Sequence, residues 1–127
     1  MCVGCRILAH AICDALLGAA GLGDIGQHFP DDLPRWRNAS SLLFLGHVKG
    51  LLDKIGYAIV NIDATVGMER PKLARYIPLM RKNIAERLGI QPSQVSVKAK
   101  SGEGVDAVGH GEAVRADAAA LIVAPSI

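Results

Sequence analysis

The length, composition and charge of the chain describe one globular domain of 127 residues. Half of the residues are hydrophobic and aromatic residues make up only 4%, so the core must consist mainly of Ala, Val, Ile and Leu. A formal net charge of +2 is too small to predict nucleic-acid binding from bulk electrostatics. The sequence has no apolar run long enough to span a bilayer and no signal-peptide pattern at its start, which predicts a cytoplasmic protein without a membrane partner.

The first half of the sequence predicts two helices and a strand. Apolar residues at three- and four-residue spacing predict a helix from about Arg6 to Leu22, ended by a cluster of glycines. A loop with two prolines and three acids follows, and a second apolar stripe predicts a helix from Ser40 or Ser41 to Lys54. The β-branched alternation of residues 57–68 predicts a strand that places Ile59 and Ile62 on opposite faces.

The second half predicts one helix and two more strands. Pro78 is expected to open the helix as its first residue, and Gly89 lies beyond its end. Val95–Lys100 reads as a strand, and a glycine-rich loop leads to a last strand within Val114–Ala124. Helices and strands do not alternate strictly, so we expect an α+β fold, a single layered domain whose mixed sheet is covered on one face by helices.

One histidine lies in the first helix, four residues before an aspartate. At this spacing His10 and Asp14 point to the same side of the helix. A metal-bound imidazole usually donates its second ring proton to a carboxylate, which Asp14 could accept. A helix-surface pair without further consequence is the alternative.

The three cysteines are an odd number in a chain expected in a reducing compartment, so no structural disulfide is predicted. Cys2, Cys5, His10 and Cys13 form C-x2-C-x4-H-x2-C, which superficially resembles a small zinc site. The last spacing is shorter than in a zinc knuckle, and Cys13 falls within an apolar helix. Incidental cysteines are therefore favoured over a structural zinc site.

Three short segments carry groups that could bind a ligand. Asp24, between two glycines, suits hydrogen bonding to the vicinal hydroxyls of a polyol, although a helix cap followed by an ordinary turn explains the same residues. Glu69–Lys72 and Lys98–Gly104 each follow a predicted strand. Lysine, hydroxyl and glycine amides can bind a diphosphate, and Glu103 can hold a divalent cation, but the glycine spacing matches neither a P-loop nor a dinucleotide motif.

Taken in order, four blocks of the sequence resemble 2-C-methyl-D-erythritol 2,4-cyclodiphosphate synthase, a family of the non-mevalonate isoprenoid pathway. The blocks are HAICDALLGAAGLGDIGQHFPD, GYAIVNIDATV, ERPKLARYIPLMRKNIAERLGI and VSVKAKSGEGVDAVGHGEA. The resemblance runs from about Ala9 to the C-terminus and implies a four-stranded sheet, a homotrimer and active sites between neighbouring subunits. It also implies a metal-dependent lyase reaction on a diphosphocytidyl substrate, with release of CMP.

The resemblance assigns roles to particular residues. It makes His10 a zinc ligand with Asp14 beside it, Glu103 a ligand for magnesium or manganese, and Ser101 the hydroxyl that steadies the transition state. Substrate-binding residues follow from the same matches, and they are Asp24, Ile25, Gly26, Phe29, Pro30 and Asp31 for the methylerythritol group, and Met68, Glu69, Arg70, Pro71, Lys72, Leu73, Ala74, Lys100, Gly102 and His110 for the cytidine and its phosphates. His110 stands where the family commonly has arginine.

The sequence departs from the family at its start. The family begins with a strand bearing an Asp-x-His pair, the other two zinc ligands, whereas this sequence begins MCVGCR, which leaves one expected ligand of three. A truncated or mis-started gene product, a degenerate relative, and a site in which Cys2 and Cys5 replace the lost ligands all fit. We therefore expect an N-terminally truncated domain over residues 1–127 with impaired cyclisation activity. The alternative is a non-catalytic trimeric remnant that binds cytidine nucleotides.

Overall fold

The computed structural model describes residues 3–30, 40–69, 73–102 and 104–125. In this part of the chain, α-helices cover one face of a three-stranded mixed sheet, which confirms the predicted α+β class. The helices are α1 (Val3–Ala19), α2 (Ile25–His28), α3 (Ser41–Lys54) and α4 (Ile77–Leu88), and the strands are β1 (Ala58–Gly67), β2 (Val95–Lys100) and β3 (Arg115–Val123). No helix among the described residues is both long enough and apolar enough to cross a membrane.

Strand β1 lies at the centre of the sheet, between β2 and β3. It runs parallel to β2, with Gly67 opposite Lys100, and antiparallel to β3, with Gly67 also opposite Arg115. Because β1 and β2 are parallel, their C-terminal ends lie at the same edge of the sheet. The segments after Gly67 and after Lys100, which the sequence predicts as ligand-binding loops, are therefore neighbours.

The side of β1 that faces the core differs from the predicted one at the start of the strand. A register shift against β3 falls between Ile59 and Asn61 and interrupts the alternation. As a result Ile59 and Ile62 are both buried and Val60 is exposed, so the prediction that Ile59 and Ile62 lie on opposite faces was wrong. From Ile62 to Val66, alternate residues point to the core as a period of two requires.

The core lies between the sheet and the three longer helices. Helix α1 packs on β3 and β1, α3 packs on α1 and α4, and α4 packs on β2. Met80, Ile84 and Leu88 form a buried apolar stripe along α4. The largest side chains buried to below 2% exposure are Leu8, Ile12, Leu16, Leu17, Leu45, Leu52, Ile62, Leu88, Val48, Val66, Val95 and Cys13.

Helix α1 spans Val3–Ala19 rather than the predicted 6–22. It ends in a Schellman arrangement, in which Gly21 takes a φ of 72° and the Leu22 amide donates to the Leu17 carbonyl at 2.8 Å. The segment predicted as a loop after it contains the one-turn helix α2. Four residues are too few to produce a helical period in the sequence, so the sequence analysis missed this helix.

The other boundaries agree closely with the sequence. Helix α3 begins after Ser40, whose side chain accepts the Leu42 amide, and strand β2 has the predicted bounds. Helix α4 begins at Ile77, one residue before Pro78, which lies in its first turn. Gly89, with a φ of 66°, ends it as predicted.

The face of the sheet opposite the helices is exposed in the single chain. Two ion pairs lie on it, one between Lys98 and Asp63 and one between Arg115 and Asp117. The apolar side chain of Leu121 on the same face of β3 is 58% exposed. The sheet therefore presents both charged and apolar groups on a surface that the described helices leave uncovered.

Candidate active site

The ends of β1 and β2 are joined by two hydrogen bonds just beyond the paired residues. The backbone amide of Met68 donates to the Lys100 carbonyl at 2.9 Å. The amide of Gly102 donates to Glu69 Oε2 at 3.2 Å. The structure thus brings together two predicted strand-end segments, and it gives Glu69 a partner within the protein, which the sequence analysis did not foresee.

Residues 104–113 fold into a compact loop next to Gly102. The amide of Val105 donates to the Gly102 carbonyl at 3.1 Å, and the Gly109 amide donates to Asp106 Oδ1 at 2.9 Å. A side chain at Gly102 would collide with the backbone nitrogen of Gly109, so the close approach requires glycine. His110 lies on this loop, exposed, with Nδ1 3.9 Å from Glu112 Oε1.

Two residues predicted to contact the nucleotide turn their side chains toward the protein. Leu73 is 4% exposed, and Met68 packs against the core. A Cβ placed on Gly4 of α1 would lie 2.9 Å from the Met68 sulfur and 3.0 Å from Leu73 Cδ1, so both side chains contact α1. Ala74, by contrast, is exposed. Met68 and Leu73 therefore anchor the two ends of the 68–73 segment to α1, and their side chains point toward the core.

An apolar cavity of about 400 Å³ opens between α1, α3 and α4. Its lining includes Leu8, Leu42, Leu79 and Ile84, and Leu73 is the one predicted site residue among the lining residues. Among the described residues, Lys100 and Gly102, which are expected to bind the phosphates, lie elsewhere, at and just after the end of β2. The cavity is therefore not the site at which charged substrate chemistry would take place.

A second group of predicted residues lies at α2. Asp24 is the N-cap of this helix, with an extended backbone, and its Oδ1 accepts the Gln27 amide at 3.0 Å. Asp14 of α1 accepts the Ile25 amide with its Oδ1 at 2.8 Å. The residues predicted to bind the methylerythritol group thus belong to a capped helical turn that is hydrogen-bonded to α1.

An aromatic cluster connects His10 to this turn. The His10 ring meets Phe44 of α3 edge-on, with centroids 5.6 Å apart, and Phe44 lies 5.1 Å from Phe29. Phe29 is buried and also contacts His47, so its ring belongs to the core, while Pro30 after it is half-buried. The sequence analysis missed Phe44, whose signal was weak because the residue falls within the apolar stripe of α3.

The environment of His10 favours the neutral imidazole. Burial, and then the charge of Arg6, lower the pKa of His10, and the smaller effect of Asp14 opposes them. Neutral imidazole is the form that binds a metal ion. His10 therefore suits the role of a single ligand.

The described residues do not assemble a complete metal site. Within residues 3–30, 40–69, 73–102 and 104–125, no three His, Cys, Asp or Glu side chains are placed to hold a metal ion. Cys5 is disulfide-bonded, so the prediction of no structural disulfide was wrong and its sulfur is no thiolate ligand. That prediction rested on the expected reducing compartment. A reducing compartment affects whether disulfides persist, but it does not determine which sulfur atoms lie close together in the fold. Zinc and magnesium or manganese binding stays a prediction.

Five predicted site residues lie outside the described part of the chain. They are Asp31, Arg70, Pro71, Lys72 and Glu103. Their expected roles stay predictions. The described site residues form two groups, one at the ends of β1 and β2 and one at α2.

The sequence from residue 6 to residue 123 matches the YgbB family. The chain belongs to the YgbB family. It is 52% identical over 116 residues to 2-C-methyl-D-erythritol 2,4-cyclodiphosphate synthase of Nitrosospira multiformis. The aligned region covers 91% of this chain and 66% of that protein. The protein of the same name from Desulfosudis oleivorans is 53% identical over 117 residues, 92% of this chain and 70% of its own length.

Solved structures agree with the YgbB assignment. The IspF of Plasmodium falciparum, in complex with CDP, matches with a TM-score of 0.82 and 35% identity over 94% of this chain and 72% of that one. The resemblance to the cyclodiphosphate synthases inferred from the sequence is therefore confirmed. The chain spans about two thirds of the length of the Nitrosospira protein, 66%.

Proposed function

We propose that this YgbB-family chain cyclises 4-diphosphocytidyl-2-C-methyl-D-erythritol 2-phosphate to the 2,4-cyclodiphosphate and releases CMP. The observation that carries the proposal is the junction of the parallel strand ends, where Glu69 accepts the Gly102 amide beside Lys100 and Ser101. Relatives 52% and 53% identical carry this activity in their names. The CDP complex of a structural relative supports a cytidine nucleotide as the ligand.

The proposed reaction forms one phosphorus–oxygen bond and breaks another. An oxygen of the 2-phosphate attacks the β-phosphorus, and the bond from this phosphorus to the oxygen bridging to the α-phosphorus breaks. CMP leaves with the electron pair of that bond. Such a transfer depends on positioning and on neutralising charge. Lys100 supplies a cation and Ser101 a hydroxyl donor at the end of β2.

The other end of the substrate would bind at α2. We assign the methylerythritol hydroxyls to the Asp24–Gly26 turn. One oxygen of Asp24 accepts the Gln27 amide, and a carboxylate has further lone pairs with which to accept bonds from vicinal hydroxyls. Because the ring of Phe29 is part of the core, Phe29 would shape this end of the site and not contact the substrate through its ring.

We further propose that the protein is a cytoplasmic homotrimer whose sites form between copies. Two features support this arrangement, namely the separation of the predicted residues into two groups and the uncovered sheet face with its exposed Leu121. One copy would supply the nucleotide group at the strand ends, and its neighbour the α2 group. Measuring the mass of the native protein by light scattering tests the trimer.

The metal ions expected from the resemblance would hold the phosphates. Among the described residues His10 alone is placed for the zinc role, and this does not make a site, so the preceding paragraphs describe only what the protein side chains contribute. Zinc and magnesium content of the purified chain, measured with and without chelator, tests whether metal binds.

The deciding experiment measures CMP release and CDP binding by the purified chain, with zinc and magnesium supplied. We expect the chain to bind CDP and, with one expected zinc ligand of three present, to release CMP at an impaired rate that H10A lowers further. The control is E86A, because Glu86 is exposed on α4 outside both groups. CDP binding without CMP release would support the alternative, a non-catalytic nucleotide-binding remnant. Neither binding nor release would contradict both.

A further inference from the structure

Asp14 makes a contact that its position beside His10 does not predict. Its Oδ1 accepts the backbone amide of Ile25 at 2.8 Å, across eleven positions of the chain. Ile25 is the first residue of α2, and the first amide of a helix has no partner within the helix. Asp14 therefore satisfies a donor that the helix itself leaves unpaired.

Asp14 holds the Asp24–Gly26 turn from the neighbouring helix α1, whereas Asp24 forms a hydrogen bond within the turn and α2 itself. Asp24 accepts the amide of Gln27, at the third position of the same short helix. A helix of four residues has little stability of its own, so its place relative to α1 depends on such bonds. Asp14 is the residue of α1 whose side chain is hydrogen-bonded to this turn.

We propose that Asp14 is a positioning residue that holds the Asp24–Gly26 turn in place for the polyol end of the substrate. This rests on the proposed function, which places that end at the turn. The inference differs from the role expected from the sequence, a partner for a metal-bound His10, because Asp14 Oδ1 accepts the Ile25 amide. It predicts that Asp14 affects binding of the methylerythritol part and leaves binding of the nucleotide part unchanged.

The test compares two ligands across a set of variants. Affinities for CDP and for the full diphosphocytidyl substrate are measured by calorimetry with chelator present, so that no turnover occurs. We expect D14A to bind the full substrate about tenfold more weakly, since a hydrogen bond to a charged group is lost, and CDP within about twofold of the original chain. D14N should bind like the original chain, because its amide oxygen still accepts the Ile25 amide. The matched control, D53A, removes an exposed aspartate of α3 and should change neither affinity.

A second variant removes the donor and leaves the carboxylate in place. Proline lacks the amide and is tolerated at the first position of a helix, and the extended backbone of Asp24 suits a following proline. I25P should therefore weaken substrate binding as D14A does, relative to I25A, and should add nothing when combined with D14A. This comparison decides the question even if D14A fails to fold.

The outcomes separate this inference from the proposed function. If the original chain binds CDP but D14A keeps full affinity for the substrate, or D14N is as weak as D14A, the positioning role is overturned. If D14A lost zinc binding while the ratio of substrate affinity to CDP affinity stayed unchanged, Asp14 would instead be a partner of a metal-bound His10, and the positioning role would be overturned. If the original chain does not bind CDP, the proposed function fails. In that case a fast-exchanging Ile25 amide in D14A, against a protected one in D14N, would still establish the bond.

Discussion

Cys13 illustrates how burial decides the chemistry of a single residue. Its side chain is fully buried in α1, and burial, followed by the charge of Asp14, raises the pKa of the thiol from its usual 9.0 to about 12. The sequence grouped Cys13 with Cys2, Cys5 and His10 by spacing alone. The structure gives it the character of a small apolar core residue, protonated at neutral pH.

We predict that Cys13 resists alkylation by iodoacetamide at pH 8.5 until the chain unfolds. Between pH 9 and 12 the unfolded state loses this proton while the folded state keeps it, so this residue makes the free energy of unfolding fall as pH rises above 9. Mass spectrometry locates the label, and denaturation at pH 8 and pH 10 gives the free energies. C13A should lack this part of the pH dependence. Fast labelling of the native chain at Cys13 would contradict the prediction.

At the scale of elements, the sequence predicted those helix ends that are set by residues at the ends themselves. The Ser40 cap and the left-handed Gly89 mark helix ends through their own backbone and side-chain bonds, so the ends of α3 and α4 could be predicted. The shift at Ile59 depends on pairing with β3, more than fifty residues away by the register, and no local pattern encodes it. Helix α2 depends on Asp14 from another helix, which a local pattern also cannot show.

The connection between the strand-end loops gives a prediction at this scale. Loss of the Glu69 carboxylate in E69A removes the acceptor of the Gly102 amide, and we expect CDP binding to weaken by roughly 1 kcal/mol, or about fivefold. E69Q keeps an acceptor oxygen and should bind CDP like the original chain. The control E86A removes an exposed glutamate of α4. Calorimetry with CDP measures the effect.

An opposite result would have a clear meaning. If E69A bound CDP more tightly than the original chain, Glu69 would compete with the diphosphate for the Gly102 amide. If E69Q were as weak as E69A, the charge of Glu69, and not its hydrogen bond, would be what matters.

At the scale of the molecule, the sequence identified the family but not the grouping of the site. The sequence predicted each strand-end segment as a ligand-binding loop, but that the two are neighbours follows from the parallel pairing of β1 and β2, which the structure shows. His10 of α1, Phe44 of α3 and Phe29, which follows α2, come together by packing, and spacing along the chain does not encode this. The two groups of site residues therefore emerge only when the fold is known.

If each site forms between copies, two differently damaged chains should restore one another. D24A would remove the polyol group and K100A would weaken the nucleotide group, and each alone should lose substrate binding. Among all trimers assembled at random from equal amounts of the two chains, about a quarter of the sites would combine the intact α2 group of one copy with the intact strand ends of its neighbour. We expect calorimetry to recover about that fraction of full-affinity sites after the two chains are unfolded and refolded together, and none from the D24A/K100A double variant. No recovery from a mixture shown to contain mixed trimers would mean that one copy supplies both groups. One substrate molecule would then bind both the α2 group and the strand ends of the same chain. The uncovered sheet face would have no part in forming the site.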